Sequence, residues 1–116
     1  MILPLALVAS PALAAPVYLA CTLQQPRGPF LVNITADEAN QTATIEIPLT
    51  GNVIRRPAVF SATNVTVTDP MSGGSALIYE VDRVALGITR SMLFQGVAKP
   101  LETGTCKVQE APKRAF

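Results

Sequence analysis

Phe30-Leu31-Val32-Asn33-Ile34-Thr35-Ala36, and after the acidic break Asp37-Glu38-Ala39-Asn40 the run Thr42-Ala43-Thr44-Ile45-Glu46-Ile47, alternate apolar with polar side chains. A period of two over this length marks half-buried strands, and the break between them reads as the turn of an antiparallel hairpin. Phe30, Val32, Ile34 and Ala36 share one face, which Ala43, Ile45, Ile47 and Leu49 continue beyond the turn. Asn33, Thr35, Thr42, Thr44 and Glu46 take the other face.

The same alternation extends in both directions. Upstream, Val17, Leu19, Cys21 and Leu23 oppose Tyr18, Ala20, Thr22 and Gln24, until Pro26-Arg27-Gly28-Pro29 forces a turn. Downstream, Thr50-Gly51-Asn52 reads as a turn, and residues 59–68 as one strand with Val65 and Val67 inward. Asp69-Pro70-Met71-Ser72-Gly73-Gly74 then ends that strand.

Residues 77–94 admit two readings. Leu77, Tyr79 and Val81 alternate as a strand whose register changes at a bulge at Asp82-Arg83, after which Val84, Leu86 and Ile88 take the inner face. A helix over 79–93 competes, because Val81, Val84, Ala85, Ile88 and Met92 also fit the helical period. Gly87 and the β-branched residues favour strands. Elements over 92–98 and 105–109 follow, separated by a loop at Lys99-Pro100-Leu101-Glu102-Thr103-Gly104, and residues 110–116 form a flexible tail.

Some eight short strands without a sustained helical period predict an all-β fold, a small antiparallel β-barrel or sandwich over residues 15–109. Cys21 on the first strand and Cys106 on the last both point inward, so one disulfide is expected to join the terminal strands. A bridge there favours a closed or nearly closed sheet.

Residues 1–14 carry no charge, are almost wholly apolar, and end in Ala12-Leu13-Ala14, the small-residue pattern of a signal peptide cleaved after Ala14. The positive n-region of such signals is missing. A retained membrane anchor is opposed by Pro4, Pro11 and Pro16, and a lipoprotein signal at Tyr18-Leu19-Ala20-Cys21 by the buried face assigned to Cys21. The expected destination is periplasmic or secreted, where the cysteines pair.

Nine basic and eight acidic residues give a net charge of +1, with no tryptophan, so neither a basic excess nor stacking aromatics point to nucleic acid. Histidine is absent, which removes Ser-His-Asp and Cys-His catalysis and imidazole metal sites. There is no CxxC, no glycine-rich phosphate loop and no EF-hand spacing, so no cofactor or metal is expected. Asp37 with Glu38, and Glu80 with Asp82, are the close carboxylate pairs available for acid–base work. A hairpin turn and a solvent-facing strand account for both pairs, and no catalytic residue is expected. Asn-x-Thr triplets at Asn33, Asn40 and Asn64 follow from a threonine-rich polar face.

Val17-Tyr18-Leu19-Ala20-Cys21, Asp37-Glu38-Ala39, Tyr79-Glu80-Val81-Asp82-Arg83-Val84 and Gly104-Thr105-Cys106-Lys107-Val108 resemble small uncharacterised exported β-domain proteins of Gram-negative bacteria. That resemblance implies a fold and a compartment rather than an activity. The cysteine near each end and Ser72-Gly73 followed by Tyr79 are similar in outline to periplasmic lysozyme inhibitors. The tryptophan and Lys-Gly pair of that family are missing, so no inhibitory residue is carried over. The expected function is a non-catalytic binding module for a protein, glycan or envelope component. A lysozyme-inhibitor-like protein or a structural envelope component is the alternative, with a carboxylate-based hydrolase last.

Overall fold

The computed structural model describes residues 15–110, and in it eight strands follow one another in chain order. They are β1 (Val17–Gln25), β2 (Gly28–Asp37), β3 (Thr42–Ile47), β4 (Asn52–Phe60), β5 (Asn64–Pro70), β6 (Ala76–Asp82), β7 (Gly87–Phe94) and β8 (Val97–Gln109). Each pairs antiparallel with the next, and β8 pairs back onto β1, so the sheet closes into a barrel. The signal expected at residues 1–14 and, but for Glu110, the tail expected at 110–116 lie outside the described residues.

Up-and-down connectivity gives the barrel two unlike ends. The entry end holds both termini of the domain and the turns at residues 38–41, 61–63 and 83–86. The far end holds the turns at residues 26–27, 48–51, 71–75 and 95–96. Strand alternation then sorts side chains between lumen and wall. Leu19, Cys21 and Leu23 meet Val32, Ile34, Ile45, Val67, Tyr79, Val81, Ile88 and Cys106 in one buried cluster. Thr22, Gln24, Asn33, Thr35, Thr44, Glu46, Arg55, Thr66, Thr68, Glu80, Thr89 and Lys107 face outward. The lumen is apolar apart from the ion pairs of its far half, and the wall is mostly polar with Leu31, Val53 and Val59 exposed on it. A one-residue slip in any pairing would exchange the two sets, which fixes the register.

Closure depends on how near β8 comes to β1. Cys21 and Cys106 are directly paired across that seam and joined by a disulfide. Two residues before Cys106, Gly104 sits against the neighbouring backbone: a Cβ there would overlap the Thr22 carbonyl and lie 2.9 Å from the Leu23 Cα. Glycine is required at 104 for space, not for its dihedral freedom.

Several expectations need correction. Residues 59–68 are not one strand: Ser61 Oγ accepts from the Asn64 and Thr63 N–H groups, folding residues 61–63 into a turn that separates β4 from β5. Asp82-Arg83 is a turn and not a bulge, because Asp82 Oδ1 accepts from Val84 N–H at 2.8 Å and Ala85 N–H at 2.9 Å. Val84 is consequently exposed and not inward, while the strands favoured for residues 77–94 over the helix form the β6–β7 hairpin. The loop expected at residues 99–104 belongs to β8, and a register irregularity falls in the β7–β8 pairing at Arg90/Ser91, where Leu101 is the extra residue between Glu102 and Pro100. Leu49 leaves the inner face because β3 ends at Ile47 and the Gly51 and Thr50 N–H groups both donate to the Ile47 carbonyl.

Candidate functional site

Turn chemistry builds an open apolar mouth at the entry end. Its cavity of about 270 Å³ is lined by Val17, Leu19, Phe60, Val65, Leu86 and Val108, with Glu38 and Arg83 at its edge. The Asx-type turn at Asp82 carries the chain into Leu86, whose φ of 60° is left-handed. Leu86 is then pinned on both sides of its peptide, its N–H donating to the Asp82 carbonyl and its carbonyl accepting from Cys106 N–H at 2.7 Å. The mouth therefore rests on the disulfide-bearing seam.

Arg83 ties the three entry-end turns together. Its Nη2 donates to Glu38 Oε1 at 2.8 Å, and its Nη1 to Glu38 Oε2 at 3.2 Å and to the Ser61 carbonyl at 2.6 Å. The guanidinium also lies 5.9 Å from the centre of the Phe60 ring. Donation from Arg83 holds the Glu38 carboxyl below its ordinary pKa. Asp82 is likewise lowered, by the Ala85 N–H first and the Val84 N–H next.

A second polar arrangement lies inside the far half of the lumen. Arg90 forms a bidentate pair with Glu102, with Nε at 2.8 Å from Oε2, and Gln25 Nε2 donates to Glu102 Oε1 at 2.9 Å. Phe30 covers the guanidinium at 5.1 Å. Arg56 Nε donates to Asp69 Oδ1 at 3.1 Å, so the buried Asp69 is also neutralised. Tyr79, across the strand pair from Arg90, lies near enough to favour its charge, yet the fully buried hydroxyl meets hydrogen-bond geometry with no group among the described residues. The two ion pairs and Gln25 satisfy one another and serve the packing of the lumen, while the Tyr79 hydroxyl stands outside this network.

Of the carboxylates considered for acid–base chemistry, Glu80 and Asp82 share one shallow groove and the others are separately engaged. Asp37 accepts from the Asn40 backbone and side chain, Glu38 is engaged by Arg83, and Asp82 shapes its turn. Glu80 stands exposed on the outer wall, in a shallow groove shared with Asp82, Asn64 and Thr89. No cluster of three acidic, cysteine or histidine residues suited to a metal occurs among the described residues. Sequence reasoning missed Arg83, Phe60 and Leu86. The one available signal was the run Ser61 to Asn64, whose hydroxyl and amide residues favour a turn that would have brought Phe60 to the barrel end. No protein-family model, curated protein or solved structure matches this chain.

Proposed function

We propose that this protein is an exported, non-catalytic binding module that receives a small apolar group of a protein partner in its entry-end mouth. The observation that carries the reading is the mouth itself: the lumen is otherwise filled, and here apolar side chains line an open cavity. About 270 Å³ falls just below the usual range for sites that enclose a whole small-molecule ligand, and suits one aliphatic or aromatic side chain. A mostly apolar lining favours a protein over a glycan, whose hydroxyls would need more polar partners than the Glu38–Arg83 pair provides. The buried disulfide is compatible with the oxidising compartment that export would supply.

Val17→Trp tests this directly, because Val17 is half-exposed at the rim and a larger side chain there fills the cavity without disturbing the core. Titration of the oxidised protein with 1-anilinonaphthalene-8-sulfonate should give saturable fluorescence that Val17→Trp abolishes. A partner captured from periplasmic extract should be lost with the same variant. Equal binding of probe and partner by the blocked protein would refute the assignment.

A further inference from the structure

The mouth is lined from both ends of the domain, by Ala15 and Val17 at its start and by Val108 near the end of β8. Sequence on either side of the barrel therefore runs on from the rim of the cavity. Beyond Gln109 it reads Glu110-Ala111-Pro112-Lys113-Arg114-Ala115-Phe116, in which Phe116 is the one large apolar side chain. Phe116 follows Gln109 by seven residues, a reach of at most about 25 Å, and Pro112 between them favours a turn. That reach is ample for a return to a cavity that Val108 itself lines. The cavity, about 270 Å³ and mostly apolar, has room for one aromatic side chain.

Charge at the entry end selects this segment as the occupant. Within two residues of its turns and strand ends stand the carboxylates Asp37, Glu38, Glu80, Asp82 and Glu110. The cations there, among the described residues, are Arg83 and Lys107, so the end is net acidic. Glu38 and Arg83 neutralise each other at the edge of the cavity, which leaves the excess around it. Lys113-Arg114, just before Phe116, carry the complementary charge. Residues 1–14 also adjoin the mouth, through Ala15, but they hold no charge for this acidic end to attract.

We propose that the mouth is occupied by the protein's own tail: the Phe116 side chain seats in the cavity, steered by Lys113 and Arg114 to the acidic entry end, and a partner must displace it. The inference rests on the mouth being a site for one apolar side chain, and adds its regulation. A tethered competitor acts at a high effective concentration and lowers the apparent affinity of any ligand for the same cavity.

Titration with N-phenyl-1-naphthylamine tests it, because an uncharged apolar probe is insensitive to the charges being altered. In the oxidised protein, Phe116→Ser is expected to raise the affinity for the probe roughly fivefold. Lys113→Glu/Arg114→Glu should move it in the same direction, and these positions lie beyond the last strand, so the fold is left intact. Added salt should raise the affinity of the wild type towards that of Phe116→Ser. Equal affinities of wild type and Phe116→Ser, with binding abolished in both by Val17→Trp, would overturn the self-occupied state while leaving the mouth as a site. Binding that survives Val17→Trp in the Phe116→Ser background would remove the mouth and this inference with it. A difference between wild type and Phe116→Ser that vanishes on dilution would place the tail in the mouth of a second copy, and would equally overturn the proposal.

Discussion

Arg90 occupies an inward position between Ile88 and Met92 in β7, where alternation leads one to expect an apolar side chain. A guanidinium is tolerated in the lumen because Glu102 meets it with two oxygens and Gln25 supplies a further donor to the carboxylate. Both side chains of the pair are only about a tenth exposed, so the pair is held in place at a desolvation cost that its geometry offsets. Removing one partner strands the other: Glu102→Ala is expected to destabilise the fold by about 3 kcal/mol in urea unfolding at neutral pH. The pH dependence has a definite sign. Arg90, through its hydrogen bonds, holds the Glu102 carboxyl below its ordinary value of 4.5. Its contribution is therefore complete above that value and is lost as pH falls through the lower folded-state pKa. The gap between wild type and Glu102→Gln should narrow below pH 4.5, and a gap that stays constant to strongly acid pH would show the pair to be energetically idle.

At the scale of elements, the β1–β8 seam decides whether the sheet is a barrel or an open meander. Gly104→Ala should cost about 2 kcal/mol, in the range of overpacking, because the displaced atoms are the backbone of Thr22 and Leu23 and not a yielding side chain. Gly87→Ala provides the comparison, since the nearest atom to a Cβ there is the Gly104 carbonyl at an ordinary 3.9 Å. Denaturant midpoints that move equally for the two variants would remove the close approach as the cause. The seam was legible in outline: inward faces at Cys21 and Cys106 imply a bridge between terminal strands, and β1, β2, β3 and β5 follow clean alternation. Strand β4 was not, because its inward set Ile54, Arg56, Ala58 and Phe60 includes a charge, and Pro57 stands beside it. The start of β8 was hidden for the same reason: Pro100 and Glu102 look like loop residues until Arg90 supplies the partner that brings Glu102 inside. The mouth could not be read from alternation, since its lining comes from turns whose path is set by single hydrogen bonds at Asp82 and Ser61.

For the whole molecule, up-and-down connectivity places the apolar mouth at one end of the barrel and Phe94, at the tip of the β7–β8 hairpin, at the other. The Glu38–Arg83 pair edges the mouth, with Asp37, Asp82 and Glu110 elsewhere at that end, while the exposed Arg27, Glu46 and Lys99 lie towards the other. The chain contains no tryptophan, so one introduced indole reports its own position without background. In Phe94→Trp, at the exposed far end, emission should be that of a solvated indole. In Val17→Trp, at the opposite end, emission should be blue-shifted, because the indole fills the apolar cavity. Equal emission maxima for the two variants would show that the side chain at position 17 does not enter the mouth.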